Sequence, residues 1–114
     1  MNNKDESGLL DILIAAETIQ NFLYDITEEK FRESQLHQSA VIRQLEIIGE
    51  ATKGLSHEFK NEYPILPWRK MAGLRDILIH DYSNVNIDAV WIVVEREISS
   101  VIEEITKLKK RFED

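Results

Sequence analysis

No cysteine occurs anywhere in the 114 residues. Disulfide staples and thiolate metal sites are therefore excluded, and a reducing compartment is the natural setting. Glycine and proline are scarce, four and two. No stretch alternates apolar and polar residues long enough to read as a sheet. No apolar run approaches the roughly 18 residues of a membrane span. The polar start Met1-Asn2-Asn3-Lys4-Asp5-Glu6 lacks the apolar stretch of a secretory signal. A soluble, cytoplasmic protein with no membrane partner is expected. Positive charge is also in short supply: 14 Lys and Arg face 21 Asp and Glu, a net charge of -7. This argues against holding nucleic acid by bulk electrostatics, and DNA is not an expected partner, but a small basic site remains compatible with transient binding.

What remains is an ordinary globular composition, 43% hydrophobic and 31% charged. Its length fits one domain, residues 1–114, with one modest core. Apolar residues recur every three or four positions, which predicts an all-α protein. The first helix is expected from about Gly8 to Tyr24 behind a Ser7 cap, with Leu9, Ile12, Leu13, Ala16, Ile19 and Leu23 buried. Thr27 caps a short turn through Arg32. A long helix spans about Ser34 to Leu55, with Leu36, Ala40, Val41, Leu45, Ile48, Ala51 and Leu55 inward. Gly49 in its middle calls for a close helix neighbour, since glycine costs roughly 1 kcal/mol against alanine in a helix.

One helical turn follows near Ser56 to Tyr63, and then an extended connector, Pro64 to Pro67. Pro67 suits the first position of the next helix, which carries Trp68, Met71, Ala72 and Leu74 and frays near His80 to Ser83. A last helix, about Ile87 to Phe112, shows a sustained stripe from Ile87, Val90, Trp91 and Val94 through Ile98, Val101, Ile102, Ile105, Leu108 and Phe112. Its final Lys107, Lys109, Lys110 and Arg111 complement the helix dipole, with nucleic-acid contact as the alternative reading. The whole is expected as four main helices in an up-down bundle.

Most polar residues read as solvated helix faces. The exception is Arg75-Asp76-Ile77-Leu78-Ile79-His80-Asp81-Tyr82, which gathers Arg, His and Tyr at a helix end. Asp76 and His80 are four apart and share a face, so the carboxylate can orient the imidazole and raise its basicity. Arg75 and Tyr82 are seven apart and also share a face. His80 lies about 140° from Arg75 on a helix turning about 100° per residue. The two converge only if the helix unwinds or a second subunit completes the site. Such a cleft suits cleavage of a phosphodiester by the RNA's own 2′-hydroxyl: histidine moves the protons, arginine holds the phosphate, and tyrosine stacks or hydrogen-bonds. Read alone, the pattern also fits a capping or salt-bridge arrangement. His37 and His57 read as surface or packing residues. Glu46 and Glu50 lack the Glu-x-x-His partners of a di-iron bundle. Arg43, Arg69 and Lys70 read as solvated charges, or else as a basic rim for RNA.

Arg75, four residues, His80, one residue and Tyr82 resemble the signature of HEPN-domain proteins: Arg, four to six residues, His, any residue, Tyr. Val41 to Ala51 resembles the central helix of HepT-like proteins, Pro67-Trp68 leading into Met71 to Asp76 resembles the approach to their motif, and Val85 to Trp91 resembles the start of their last helix. The resemblance extends from about Leu9 to Leu108. It implies an all-α, up-down four- or five-helix bundle of HEPN type, homodimeric, acting as a metal-independent endoribonuclease with no cofactor. It implies the toxin half of a type VII toxin–antitoxin module, whose partner is a minimal nucleotidyltransferase antitoxin. Arg75 and His80 map onto the catalytic pair, Asp76 onto a supporting polar position, and Tyr82 onto an RNA-contacting tyrosine to which the antitoxin adds AMP. The alternative is a non-catalytic helical partner that positions substrate for a nucleotidyltransferase, with His80 only orienting Tyr82. A bundle with no site is a third possibility. Ribonuclease activity separates the first two, whereas AMP on Tyr82 is compatible with both.

Overall fold

Side-chain caps set the helix starts. In the computed structural model, which describes residues 2–80 and 86–113 and, for 75–80, 112 and 113, the backbone alone, Asn2 accepts the Asp5 N–H at 2.7 Å and opens α1, Asn3–Phe22. Thr27 opens α2, Glu28–Glu33, and Ser34 opens α3, Gln35–Gly54. Ser56 opens α4, His57–Glu62. Each accepts a backbone N–H that a helix start would otherwise leave unpaired. There follow α5, Trp68–His80, then α6, Ile87–Arg96, opened by Asn86, and α7, Ile98–Glu113. The described residues are helices and connectors, as expected for an all-α chain.

Four expectations are corrected. The first helix starts at Asn3 behind Asn2, not behind Ser7, because the polar N-terminal turn is tied down: Asp5 is buried and accepts both the Ser56 N–H and the Ser56 hydroxyl at 2.7 Å. The helix stops at Phe22, and Asp25 then takes a left-handed φ of 62°, a conformation that Asp tolerates better than most residues. Pro67 precedes α5 as its cap, its carbonyl taking the first turn's bond from Met71 N–H at 2.9 Å. The single last helix is divided at Glu97 (φ -113°), whose side chain pairs with Lys70 of α5. The division lets α6 place Trp91 against Phe31 of α2, ring centroids 5.2 Å apart, while α7 packs along α1.

The core follows the predicted stripes. Leu9, Ile12, Leu13, Ala16 and Ile19 of α1 are buried against Val41, Leu45 and Ile48 of α3, with Val101, Ile105 and Leu108 of α7 behind them. Phe31, Phe59, Leu66, Trp68 and Met71 close the core from the shorter elements. Contacts at the ends give directions. Asp5 meets Ser56 and Gln20 meets Ser99, so α1 runs antiparallel to both α3 and α7. Leu36 departs from its expected place and is 78% exposed. In the first turn of α3 it is Gln38 that faces α2, donating to the carbonyls of Phe31 and Arg32, and Leu36 lies across the helix from it. Buried Thr52 is satisfied by its bond to the Ile48 carbonyl at 2.7 Å. Among the described residues, no helix is long and apolar enough to cross a membrane.

Candidate functional site

The candidate motif rides on α5, so what fixes α5 positions the motif. Its first turn is anchored by apolar burial: Trp68 and Met71 are buried, and Leu66 just ahead of them is too. The Trp68 indole N–H donates to the Tyr63 carbonyl at 2.8 Å, which meets the polar demand of a buried indole. Phe59 of α4 stacks at a tilt on both Tyr63 and Trp68, with centroids 5.0 and 5.9 Å apart. Lys70 pairs with Glu97 and ties the same turn to the α6–α7 junction. Beyond this anchor α5 packs along α3.

The backbone of α5 remains helical through His80. The expected fraying near His80 to Ser83 falls, beyond His80 itself, outside the described residues. Arg75, Asp76 and His80 occupy this helix by register, but their side chains lie outside the described residues, as do Asp81 and Tyr82 altogether. At about 100° per residue, positions 76 and 80 share a stripe, and positions 75 and 80 stand about 140° apart. Positions 69 and 72 fall on the same stripe as 76 and 80.

The basic residues separate into different surroundings. Arg43 bonds Glu46 at 3.3 Å and sits in a groove with Asp11 and Glu50 between α1 and α3. It is not part of a rim with Arg69 and Lys70, because three carboxylates share its groove. Lys107 lies between Glu103 and Glu104, whose hydrogen bonds and charge raise its pKa above the ordinary lysine value. Arg32 is likewise raised, first by Asp88 and then by Glu28. His37 is half-buried, with its Nδ1 2.6 Å from the Ser34 hydroxyl that caps α3. His57 is exposed. No group of three His, Asp or Glu side chains among the described residues is placed to hold a metal ion.

A second feature is legible in the sequence only in part: Arg69 and Lys70 read as candidates for a basic rim, whereas Lys60 and His57 do not. Between α4 and the start of α5 lies an open groove of about 790 Å³, lined by His57, Lys60, Trp68, Arg69, Lys70 and Ala72 among others. No described lining residue is acidic. Its cations come from two helices separated by a proline-bounded connector, and the fold sets them on one groove.

Comparison with known proteins gives a consistent result. The family model described as ribonuclease HepT-like matches residues 12–108. A protein of Thermococcus cleftensis named "Probable ribonuclease HepT" is 42% identical over 110 residues, covering 96% of this chain and 100% of that protein. A protein of Methanocaldococcus jannaschii provisionally named an RNase is 42% identical over 114 residues, 99% of this chain and 94% of that protein. Another from the same organism, named a gamma-glutamylcyclotransferase and, provisionally, an RNase, is 42% identical over 102 residues. That match covers 90% of this chain and 46% of the longer protein. No solved structure matches.

Proposed function

This chain belongs to the ribonuclease HepT-like family, and from that premise we propose that it is a metal-independent endoribonuclease, the toxin of a type VII toxin–antitoxin pair. It acts in the cytoplasm as one domain, residues 1–114, and its homodimer completes the cleft. The carrying observation is the family match across residues 12–108, which takes in the whole Arg75 to Tyr82 signature. A second observation supports the dimer. With α5 helical through His80, one helix presents positions 75 and 80 about 140° apart. A two-fold axis beside this helix would place Arg75 of one copy near His80 of the other.

In that cleft His80 takes the proton from the ribose 2′-hydroxyl as the oxygen attacks phosphorus. The bond to the 5′-oxygen breaks and that oxygen receives a proton, leaving a 2′,3′-cyclic phosphate and a 5′-hydroxyl. Arg75 binds the phosphate through its planar fork and stabilises charge that builds in the transition state. Asp76, one turn before His80, holds the imidazole. Tyr82 contacts the RNA. The nucleotidyltransferase antitoxin transfers AMP from ATP to the Tyr82 oxygen and releases pyrophosphate, and the added nucleotide occupies the RNA's place. The net charge of -7 favours a second reading, a non-catalytic partner that positions substrate for the nucleotidyltransferase.

The test is cleavage of total RNA and a tRNA pool by purified protein in EDTA, beside His80→Ala and Arg75→Ala. Mass spectrometry comes first, to establish that Tyr82 carries no AMP. Cleavage by the unsubstituted protein alone is expected. Continued cutting by a folded His80→Ala protein would refute the assigned roles, and no cutting by any of the three would favour the partner reading.

A further inference from the structure

We propose that the groove between α4 and the start of α5 binds the backbone of the RNA strand, with Lys60 and Arg69 each engaging a phosphate. This rests on the ribonuclease reading and adds to it where the substrate strand runs. The protein carries more acid than base, yet this groove has Lys60, Arg69, Lys70 and His57 on its walls and no acidic residue among its described lining. Lys70 is engaged by Glu97. Lys60 and Arg69 have no ion-pair or hydrogen-bond partner among the described residues. A polyanion is the ligand this arrangement fits, since phosphate binding requires local positive charge even where the whole chain is acidic.

Register connects the groove with the candidate catalytic residues. Positions 69, 72, 76 and 80 share one face of α5, within about 80° of its circumference. Positions 69 and 80 are roughly 16 Å apart along the axis at about 1.5 Å per residue, the reach of a few nucleotides. Beyond Lys70, which Glu97 holds, the next groove residue on α5 is small: Ala72 lines it, and among the described residues nothing lies within 4 Å of a Cβ placed on Gly73. A strand can therefore approach the first turns of this face closely, with its phosphates on Lys60 and Arg69 to one side of the cut.

The test uses the full-length protein carrying His80→Ala, so that RNA is bound and not consumed, and a fluorescein-labelled single-stranded RNA read by anisotropy over a KCl series. Adding Lys60→Gln and Arg69→Gln should weaken binding roughly tenfold or more and lower the salt slope by about 1.4, two single-strand phosphate contacts at about 0.7 each. Lys109→Gln with Lys110→Gln removes the same charge elsewhere and should shift binding several-fold less. In the cleaving protein the groove pair should raise KM much more than it lowers kcat. Equal weakening by both pairs, or no change in KM or Kd from the groove pair while the protein still cuts RNA, overturns the groove and leaves the ribonuclease reading in place. Loss of antitoxin binding with RNA binding intact would give the groove to a protein partner and overturn the proposal. Absence of any RNA binding would overturn both readings.

Discussion

Replacing Asp5 by alanine should destabilise the protein by about 2–3 kcal/mol, which is large for one residue near a chain terminus. Asp5 is 2% exposed and its two carboxylate oxygens accept the Ser56 N–H and the Ser56 hydroxyl, each at 2.7 Å. The Ser56 oxygen in turn accepts the Phe59 N–H at 3.1 Å and so caps α4. Two hydrogen bonds to a charged acceptor contribute roughly 1.5–3 kcal/mol each. Alanine also removes the cost of burying the carboxylate, and Ser56 is only half-buried, so water replaces part of what is lost. About half of the gross value therefore survives. For a chain of this length that corresponds to a fall in Tm of roughly 8–12 °C. Urea unfolding should show a lower midpoint at unchanged m. Ser56→Ala should cost less, about 1–2 kcal/mol, since it forfeits the cap and one hydroxyl bond but keeps the N–H bond. The double variant should fall short of the sum by about 1 kcal/mol, because the two residues share a bond. Additive effects, or a fall in Tm under about 2 °C for Asp5→Ala, would refute the view that this contact holds the start of α1 to α4.

Phe31→Ala should cost about 3–5 kcal/mol by the same unfolding measurement, because this ring is fully buried and packs on Trp91; a loss below about 1 kcal/mol would mean that α2 contributes little to the core. Gly54→Ala should act in the opposite direction. Gly54 ends α3 without a positive φ, and among the described residues nothing lies within 4 Å of a Cβ there. Alanine should add about 0.4–1 kcal/mol by restricting the unfolded chain, and destabilisation would refute the reading of that backbone.

Local rules recovered those features whose cause lies within four or five residues. Thr27, read as a cap, accepts the N–H three residues on, and Ser34 and Ser56, read only as helix bounds, lie one residue ahead of their helices and do the same. The stripe from Leu9 to Ile19 is buried as its spacing implies. The misses have long-range causes. Asn2 caps α1 in place of Ser7 because Asp5 finds Ser56, fifty-one residues away. The break at Glu97 leaves the apolar period almost undisturbed, and the contact that accompanies it, the pairing with Lys70, comes from another helix. Leu36 has the right period and the wrong surroundings, since Gln38 already occupies the side facing α2.

The same division runs through the candidate site. Spacing alone places positions 76 and 80 together and sets 75 apart from them, and the helical backbone through His80 removes unwinding as a way of bringing 75 and 80 together within one copy. On the proposed reading a second copy unites them, and composition carries no trace of a symmetry axis. Cations behave alike. Arg43, Arg69 and Lys70 look equivalent as letters, yet Arg43 stands among carboxylates, Lys70 is held by Glu97, and Arg69 opens onto a groove with Lys60. The charge that matters to an anionic ligand is what remains after such pairing, and pairing is decided by which helices meet.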